Sequence, residues 1–383
     1  MNLSQLKGWD SIIGEILIYL LSPIAFLVNK IIQNFIPSKN SICVLKMVGG
    51  GSLLIAYPAL LAVRKKYKNT RLLLICTKEV KAYAGLMGIF DEIYVVNTNS
   101  FSGLIFSAIY VLGKIKQSQY FLNFEMHSKL CTIYALASLS KQRFGLFQSW
   151  NKWQRNYINN PIFYTSHTPI YVGYEQLAEK IHAEPLDWVQ ASKSFQRVNG
   201  FSSHHNSDTN NARIAFAPFC SPLYREREFS ADEWVSILSK YLPLNCREII
   251  MIGGIGDTVR AKLIEDILRL YFPSLSIINK VGQTTLAQVI AEFKVVDKLI
   301  TIDSGINHIA RLLQIPIISF WGPSDPMLRL KNINSSIDNN LYHKVSCSPC
   351  VHLIDRPPCL GDNICMKIHY GAVKRLNPIW EIK

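Results

Sequence analysis

From Pro37 onward the chain alternates short apolar runs with helical ones, and the alternation restarts after one polar interruption. Residues 42–46 read as a buried strand, Gly49-Gly50-Gly51 as a tight turn and 52–67 as a helix. Further strand-like runs at 71–76, 92–96 and 120–124 are separated by helical stretches. Strands that are apolar throughout, with a crossover helix between them, imply a parallel sheet covered on both faces. The interruption, residues 199–211, is rich in Ser and Asn, lacks any period and reads as an interdomain linker. Beyond it come strands at 214–217, 248–252, 298–302 and 317–320, and helices at 230–241, 257–270, 286–293 and 305–313. The expected class is α/β, with two Rossmann-like, doubly wound domains facing a central cleft at the carboxyl ends of their strands. The expected boundaries are an apolar helical segment at 1–38, a first domain at 39–198 and a second at 212–383.

Residues 12–36 are strongly apolar but interrupted by Glu15, Pro23, Asn29 and Lys30, leaving an uncharged run of only 13 residues at 16–28. A spanning helix needs about 20. Leu27, Val28, Ile31, Ile32 and Phe35 follow helical spacing, and no small-x-small cleavage site follows. Two readings stay open: a helix packed on the domain body, or a monotopic anchor lying in a membrane surface. The formal net charge of +14 inclines the balance to an anionic membrane.

With 49% hydrophobic and 18% charged residues the chain is not a disordered one. Its positive charge calls for an acidic partner, but no RNA-recognition signature, finger spacing or aromatic–basic interleaving points to nucleic acid. Nucleic acid is therefore set aside in favour of a phosphorylated substrate and a membrane. Of nine cysteines, Cys43, Cys76, Cys131, Cys220 and Cys246 are scattered, mostly in apolar runs, as small core residues are. That usage fits a reducing, cytoplasmic compartment.

The densest chemical signal is the segment 299–326, in which a buried strand ends at Asp303-Ser304-Gly305 and a helix starts at once. A helix N-terminus offers unpaired N–H groups and about half a positive charge, which suits phosphate. His308 falls in the first turn, and Trp321-Gly322-Pro323-Ser324-Asp325-Pro326 forms a second turn expected on the same rim. The plainer reading makes Asp303 an N-cap and His308 a surface residue.

The Asp-Ser-Gly-x-x-His motif, the Gly322 to Pro326 turn, Gly282-Gln283-Thr284-Thr285-Leu286 and the strand-ending Gly253-Gly254 together resemble glycosyltransferase family 9, the heptosyltransferases of lipopolysaccharide assembly. The resemblance covers most of residues 42–326 and is specific in the second half. It implies a GT-B fold and an inverting transfer with no catalytic cofactor or metal. It also implies a nucleotide-sugar donor held by the second domain. The absence of any Asp-x-Asp triplet agrees. Carried over, Asp303, Ser304, Gly305 and His308 match the phosphate-contacting motif, and Arg227 matches a basic residue near the donor phosphates. Arg227 would offset the charge that builds on the leaving diphosphate; the alternative is that Arg225-Glu226-Arg227-Glu228 is a solvated, self-paired run. Asp257 matches an acidic position near the nucleoside, though a plain N-cap would look the same, and Cys220-Ser221 falls where relatives contact the donor.

One departure bears on catalysis. The family carries Gly-Asp at the start of the first helix, with that aspartate as general base, where this chain has Gly51-Ser52 after Gly50. An unassisted hydroxyl is a poor base. Glu125, at the end of the strand at 120–124, is the substitute candidate, and His127 the second. A helix-capping role for Glu125 is the alternative.

Cys347, Cys350, Cys359 and Cys365 fall within 19 residues among prolines. Four thiolates could hold a structural zinc or iron; free or redox-active thiols are the alternative. The expectation is a glycosyltransferase, with heptose among the candidate sugars, peripheral on the inner face of the cytoplasmic membrane and using a lipid-linked or surface-glycan acceptor. A sugar-nucleotide epimerase of the same architecture and a silent sugar-nucleotide-binding protein are the rivals.

Overall fold

A computed structural model of the protein describes residues 3–125, 129–147, 155–202, 211–332, 337–351 and 357–371. The chain divides into two compact units, Met1–Ala191 and Ser192–Lys383.

The first unit is built on six parallel strands: β1 (Lys39–Leu45), β2 (Arg71–Cys76), β3 (Glu92–Val95), β4 (Ser118–Asn123), β5 (Gln142–Phe147) and β6 (Asn160–Phe163). They lie in the order β3-β2-β1-β4-β5-β6. β5 and β6 were not among the strands expected from the apolar runs. β6 is four residues long and contains Pro161, which a sheet tolerates at its edge, where β6 lies. β5 carries Arg143, which breaks its apolar run but is buried, with its guanidinium bonded to the carbonyls of Tyr157 and Ser140.

The helices of this unit are α1 (Leu3–Phe35), α2 (Gly50–Ile55), α3 (Tyr57–Lys66), α4 (Lys78–Met87), α5 (Phe101–Ile115), α6 (Leu130–Ala137), α7 (Ile170–Glu179) and α8 (Trp188–Val198). The single helix expected at 52–67 is two, α2 and α3, parted at Ala56. Pro58 explains the break: it has no N–H to continue the ladder, and its ring clashes with the carbonyl four residues back. Apolar side chains from β1, β4, α5 and α6, among them Cys43, Phe121, Val111 and Ala135, form one continuous core. α1 rests on α6 through a smaller cluster of Ile18, Ala25, Tyr157, Ile133 and Leu136.

The second unit repeats the plan with β7 (Ala212–Ala217), β8 (Cys246–Met251), β9 (Ser276–Asn279), β10 (Lys298–Ile302), β11 (Ile317–Trp321) and β12 (Asp338–Tyr342). The order β12-β11-β10-β7-β8-β9 is the same 3-2-1-4-5-6 winding read from the other edge. Its helices are α9 (Ala231–Tyr241), α10 (Thr258–Tyr271), α11 (Leu286–Glu292), α12 (Gly305–Leu313) and α13 (Ile364–Lys367). Ser230 and Thr285 open α9 and α11 with complete capping boxes, satisfying helix donors that would otherwise be unpaired. Trp234 is the centre of this core, meeting Phe216 and Phe229 edge-on at centroid separations of 4.8 and 4.9 Å. Most of the expected linker lies outside the described residues. The division between units falls within α8, whose Gln196 bonds the Leu313 carbonyl at the end of α12.

Candidate active site

Each sheet reverses its winding at one place, between β1 and β4 in the first unit and between β7 and β10 in the second. Crossover helices leave such neighbouring strands in opposite directions, which opens a crevice at the strands' carboxyl ends. Glu125 and the 49–52 loop lie at the first of these points, and Arg227, Asp303 and Ser304 at the second.

In the first unit, β1 runs into Lys46 and β4 into Glu125. Glu125 Oε1 accepts from Lys46 Nζ at 3.0 Å, and Oε2 accepts from the Met47 and Val48 amides at 2.8 and 3.0 Å. The carboxylate thus pins the β1–α2 loop to the end of β4, and Oε1 keeps one lone pair beyond these bonds. Burial alone would lower the Lys46 pKa, but Glu125, with Tyr174 and Cys131 adding to it, holds the ammonium above its ordinary value. The capping role considered for Glu125 is replaced by this loop-holding one.

The same loop turns at Gly49, whose φ of 83° is left-handed. A Cβ on Gly50 would lie 2.0 Å from the Tyr83 ring of α4, so only glycine fits there. Ser52 Oγ donates to the Gly49 carbonyl at 2.7 Å, closing the turn. His127 lies outside the described residues. Lys46 and Tyr83 were not singled out from the sequence; a lysine ending a fully buried strand was the available signal for the first.

In the second unit, Arg227 reaches from the segment after β7 to the end of β10. Its Nη1 donates to the Asp303 carbonyl at 2.8 Å and to Asp303 Oδ2 at 3.0 Å, while Nε donates to the Tyr224 carbonyl at 3.2 Å. Ser324 Oγ, from the turn after β11, donates to the same Oδ2 at 2.7 Å. Arg227, Asp303, Ser324 and His308 are all buried. The solvated, self-paired alternative for residues 225–228 therefore fails for Arg227. Glu228 likewise pairs with Arg260, which also pairs with Asp257.

Electrostatics follow from this burial. Desolvation would raise the Asp303 pKa, but Arg227, then His308 and Arg329, reverse that and hold the carboxyl below its usual range. Burial pushes the His308 imidazole down to about 4, with Asp303 opposing and three arginines assisting. At neutral pH the site is a carboxylate–guanidinium pair beside a neutral histidine whose Nε2 is 3.9 Å from Asp303 Oδ1.

Asp303 is paired inside the protein, and Ser304 occupies the N-cap position of α12 without a side-chain capping bond. Gly305 follows as the first helical residue, half-buried, where the first-turn N–H groups have no intrahelical partners. Asn307, fully buried in that turn, has neither its amide oxygen nor its nitrogen paired, and His308 Nδ1 is also unpaired. Asn307 was not anticipated. Asp257 Oδ2 accepts from the Gly254 amide at 3.1 Å at the start of α10, with burial raising its pKa. Ser221 is exposed beyond β7, next to buried Cys220.

The profile of glycosyltransferase family 9 (heptosyltransferase) matches residues 167–360, just over half of the 383 and including the whole Arg227–Asp303–Ser324 constellation. The chain belongs to glycosyltransferase family 9. Among solved structures, a family 9 glycosyltransferase from Veillonella parvula aligns at TM-score 0.59 and 16% identity, over 79% of this chain and 85% of that one. The E. coli ADP-heptose lipopolysaccharide heptosyltransferase II aligns at 0.57 and 15%, over 79% and 91%. The E. coli heptosyltransferase WaaC with ADP aligns at 0.57 and 12%, over 75% and 89%. At these identities the likeness is one of fold, the two Rossmann-like domains of GT-B. No curated protein sequence matches the chain.

The C-terminal cysteines of this family 9 glycosyltransferase pack beside the same rim. The Cys350 amide bonds the Pro323 carbonyl at 2.9 Å, and a Cβ on Gly322 would lie 3.0 Å from Cys365 Sγ. Cys347 is exposed and Cys359 half-buried. Among the described residues no group of three or more His, Cys, Asp or Glu side chains is placed to hold a metal ion. The expected four-thiolate set is therefore not assembled: the Cys350 amide is bonded to Pro323, and Cys365 packs against Gly322. Burial, with the charge of the other three cysteines added, pushes the Cys365 thiol up to about 12.

Proposed function

We propose that this enzyme transfers a sugar from a nucleoside-diphosphate sugar to a hydroxyl of a lipid-linked or surface-glycan acceptor, with inversion and without a catalytic metal. Heptose from an ADP-activated donor is the first candidate, because two of the fold relatives are heptosyltransferases. The observation that carries the reading is the buried Arg227–Asp303 pair beneath the N-terminus of α12, at the switch point where doubly wound sheets take their ligands.

In this reading the donor diphosphate lies against the first-turn N–H groups of α12, with Ser304 and Gly305 closest. Arg227, held by Asp303, supplies fixed positive charge as the sugar–oxygen bond breaks and the diphosphate departs. Asp257 and Ser221 flank the donor. His308, neutral, serves as a hydrogen-bonding group. In a single displacement the acceptor oxygen bonds to the anomeric carbon, the nucleoside diphosphate leaves with the bonding pair, and the acceptor proton passes to a base. Glu125 is the proposed base, acting through the remaining lone pair of Oε1, with Lys46 orienting it. The loop of Gly50 and Gly51 brings backbone to the acceptor. The cysteines at 347–365 take no part in the reaction.

The protein is further proposed to work on the inner face of the cytoplasmic membrane, where lipid-linked acceptors are assembled. Thermal shift against ADP-, UDP-, GDP- and CMP-sugars tests the donor. Saturation at 100 times Kd adds about 2.7 kcal/mol, a rise of several degrees at most. No response to any nucleotide sugar would reject the reading. Donor conversion without acceptor would support an epimerase, and binding without turnover a silent binder.

A further inference from the structure

Helix α1 is built inside out. Ser22 and Asn29 face the protein: Asn156 Nδ2 donates to Ser22 Oγ at 2.7 Å, Asn29 Nδ2 donates to the Asn156 carbonyl at 2.7 Å, and Asn29 Oδ1 accepts from Arg143. Tyr157 Oη donates to the Ile18 carbonyl. Ser22, Ala25 and Ile32 are completely buried on that side. Ile16, Leu20, Ile24, Leu27, Ile31 and Phe35 are each more than half exposed. At about 100° per residue these six form one stripe, on the side of the helix opposite the buried residues. A helix on a water-facing surface has the reverse arrangement.

A second helix extends this apolar surface. α5 turns Val111 and Ile115 into the core shared with Cys131 and Ala135 of α6, while α1 packs on Ile133 and Leu136 of the same α6. α6 is thus flanked by α1 and α5. The outer face of α5 exposes Ile105, Phe106, Ile109 and Tyr110, with Phe106 at 73%. On each helix a lysine lies over an exposed ring: Lys30 Nζ is 5.0 Å from the Phe26 centroid and Lys114 Nζ 5.5 Å from that of Tyr110. Aliphatic and aromatic bodies capped by ammonium groups suit the boundary between acyl chains and anionic headgroups.

Among the described residues no helix is long and apolar enough to cross a membrane. We infer that α1 and α5 together form one in-plane contact surface for an anionic phospholipid bilayer. The inference rests on the membrane-face location proposed above and adds to it a second helix and a fixed orientation. The net charge of +14 supplies the long-range attraction, and the two apolar faces supply the insertion.

The test is co-sedimentation of the full chain with phosphatidylcholine vesicles, with and without phosphatidylglycerol. The chain should bind the anionic vesicles. Phe106→Ser/Ile109→Ser in α5 and Leu20→Ser/Leu27→Ser in α1 should each weaken binding about tenfold or more, with the thermal midpoint unchanged. Ile109→Trp should shift its fluorescence to the blue on binding and be quenched by acyl-chain-brominated lipid. No sedimentation of the wild-type chain would overturn both the membrane location and this surface. Binding that survives the α5 substitutions, without quenching at position 109, would overturn the two-helix surface alone. So would an α5 variant that binds vesicles normally but converts a dimer to a monomer, since the patch would then join two copies of the chain.

Discussion

Arg227 Nη1 bonds both the carbonyl oxygen and the Oδ2 of Asp303, so one buried guanidinium holds the backbone and the side chain at the point where β10 becomes α12. The acid of the Asp-Ser-Gly motif thereby acts on the loop and on Arg227, and in the proposed reading the donor meets the helix start that they hold in place.

Removing one member of this pair strands the other without a counter-charge. Asp303→Ala should cost about 3–5 kcal/mol of stability, the usual result for a broken buried pair. Urea denaturation measures it, and a cost below about 1 kcal/mol would mean the pair is solvated. Arg227→Ala should also abolish the thermal shift produced by the donor.

The base assignment separates by kinetics. Glu125→Gln should lower kcat by roughly 10²–10⁴-fold with donor affinity nearly intact, whereas Ser52→Ala should cost much less. Ser52→Asp, which restores the family carboxylate, is expected to maintain or raise activity. If Glu125→Gln instead raises the acceptor KM and spares kcat, Glu125 only holds the 46–48 loop.

Gly50 is a steric requirement with a nameable partner. Gly50→Ala should destabilise the protein by about 1–3 kcal/mol, because its Cβ would meet the Tyr83 ring at 2.0 Å. Pairing it with Tyr83→Ala should recover part of the loss in thermal denaturation. No recovery would place the cost in the turn's backbone.

Stability should fall in mild acid. His308 and His369 are both held down at about 4, chiefly by burial, against 6.5 for an ordinary histidine. Between those values the unfolded chain binds protons that the folded one refuses, so their contribution is complete above pH 6.5 and lost as pH falls to 4. The slope should approach about 1.4 kcal/mol per pH unit for each histidine. The lowered Asp303 pKa keeps that carboxylate charged through most of this window. Denaturation midpoints at pH 7, 6 and 5 test this, and His308→Gln should flatten the curve; an unchanged slope would mean that His308 is not held neutral.

Because the four thiols are not assembled as a ligand set, metal analysis of reduced protein purified without chelator should find well under one zinc or iron per chain, and chelation should leave its thermal midpoint unchanged. About one metal per chain, lost with a fall in the midpoint, would mean that Cys347, Cys350, Cys359 and Cys365 do come together as ligands.

The sequence by itself determined the class of the molecule. Continuous apolar runs such as 71–76 and 298–302 can be satisfied only as covered parallel strands, and their boundaries in β2 and β10 are those of the apolar runs themselves. The start of α12 at Gly305 was legible for the same reason, since strand, cap and helix are contiguous in the chain. Edge strand β6 and the division of α2 from α3 depended on prolines whose effect varies with their neighbours. What joins distant segments was left to the tertiary structure. Glu125 meets Lys46 across 79 positions and Arg227 meets Asp303 across 76, because strand order places β4 beside β1 and β10 beside β7. The direction of α1 was decided the same way. Its periodicity marks two sides, but only Asn156 and Arg143, more than a hundred residues on, show that the side carrying Asn29 faces in. Periodicity is a property of one helix, whereas which face is buried depends on what the rest of the chain brings against it.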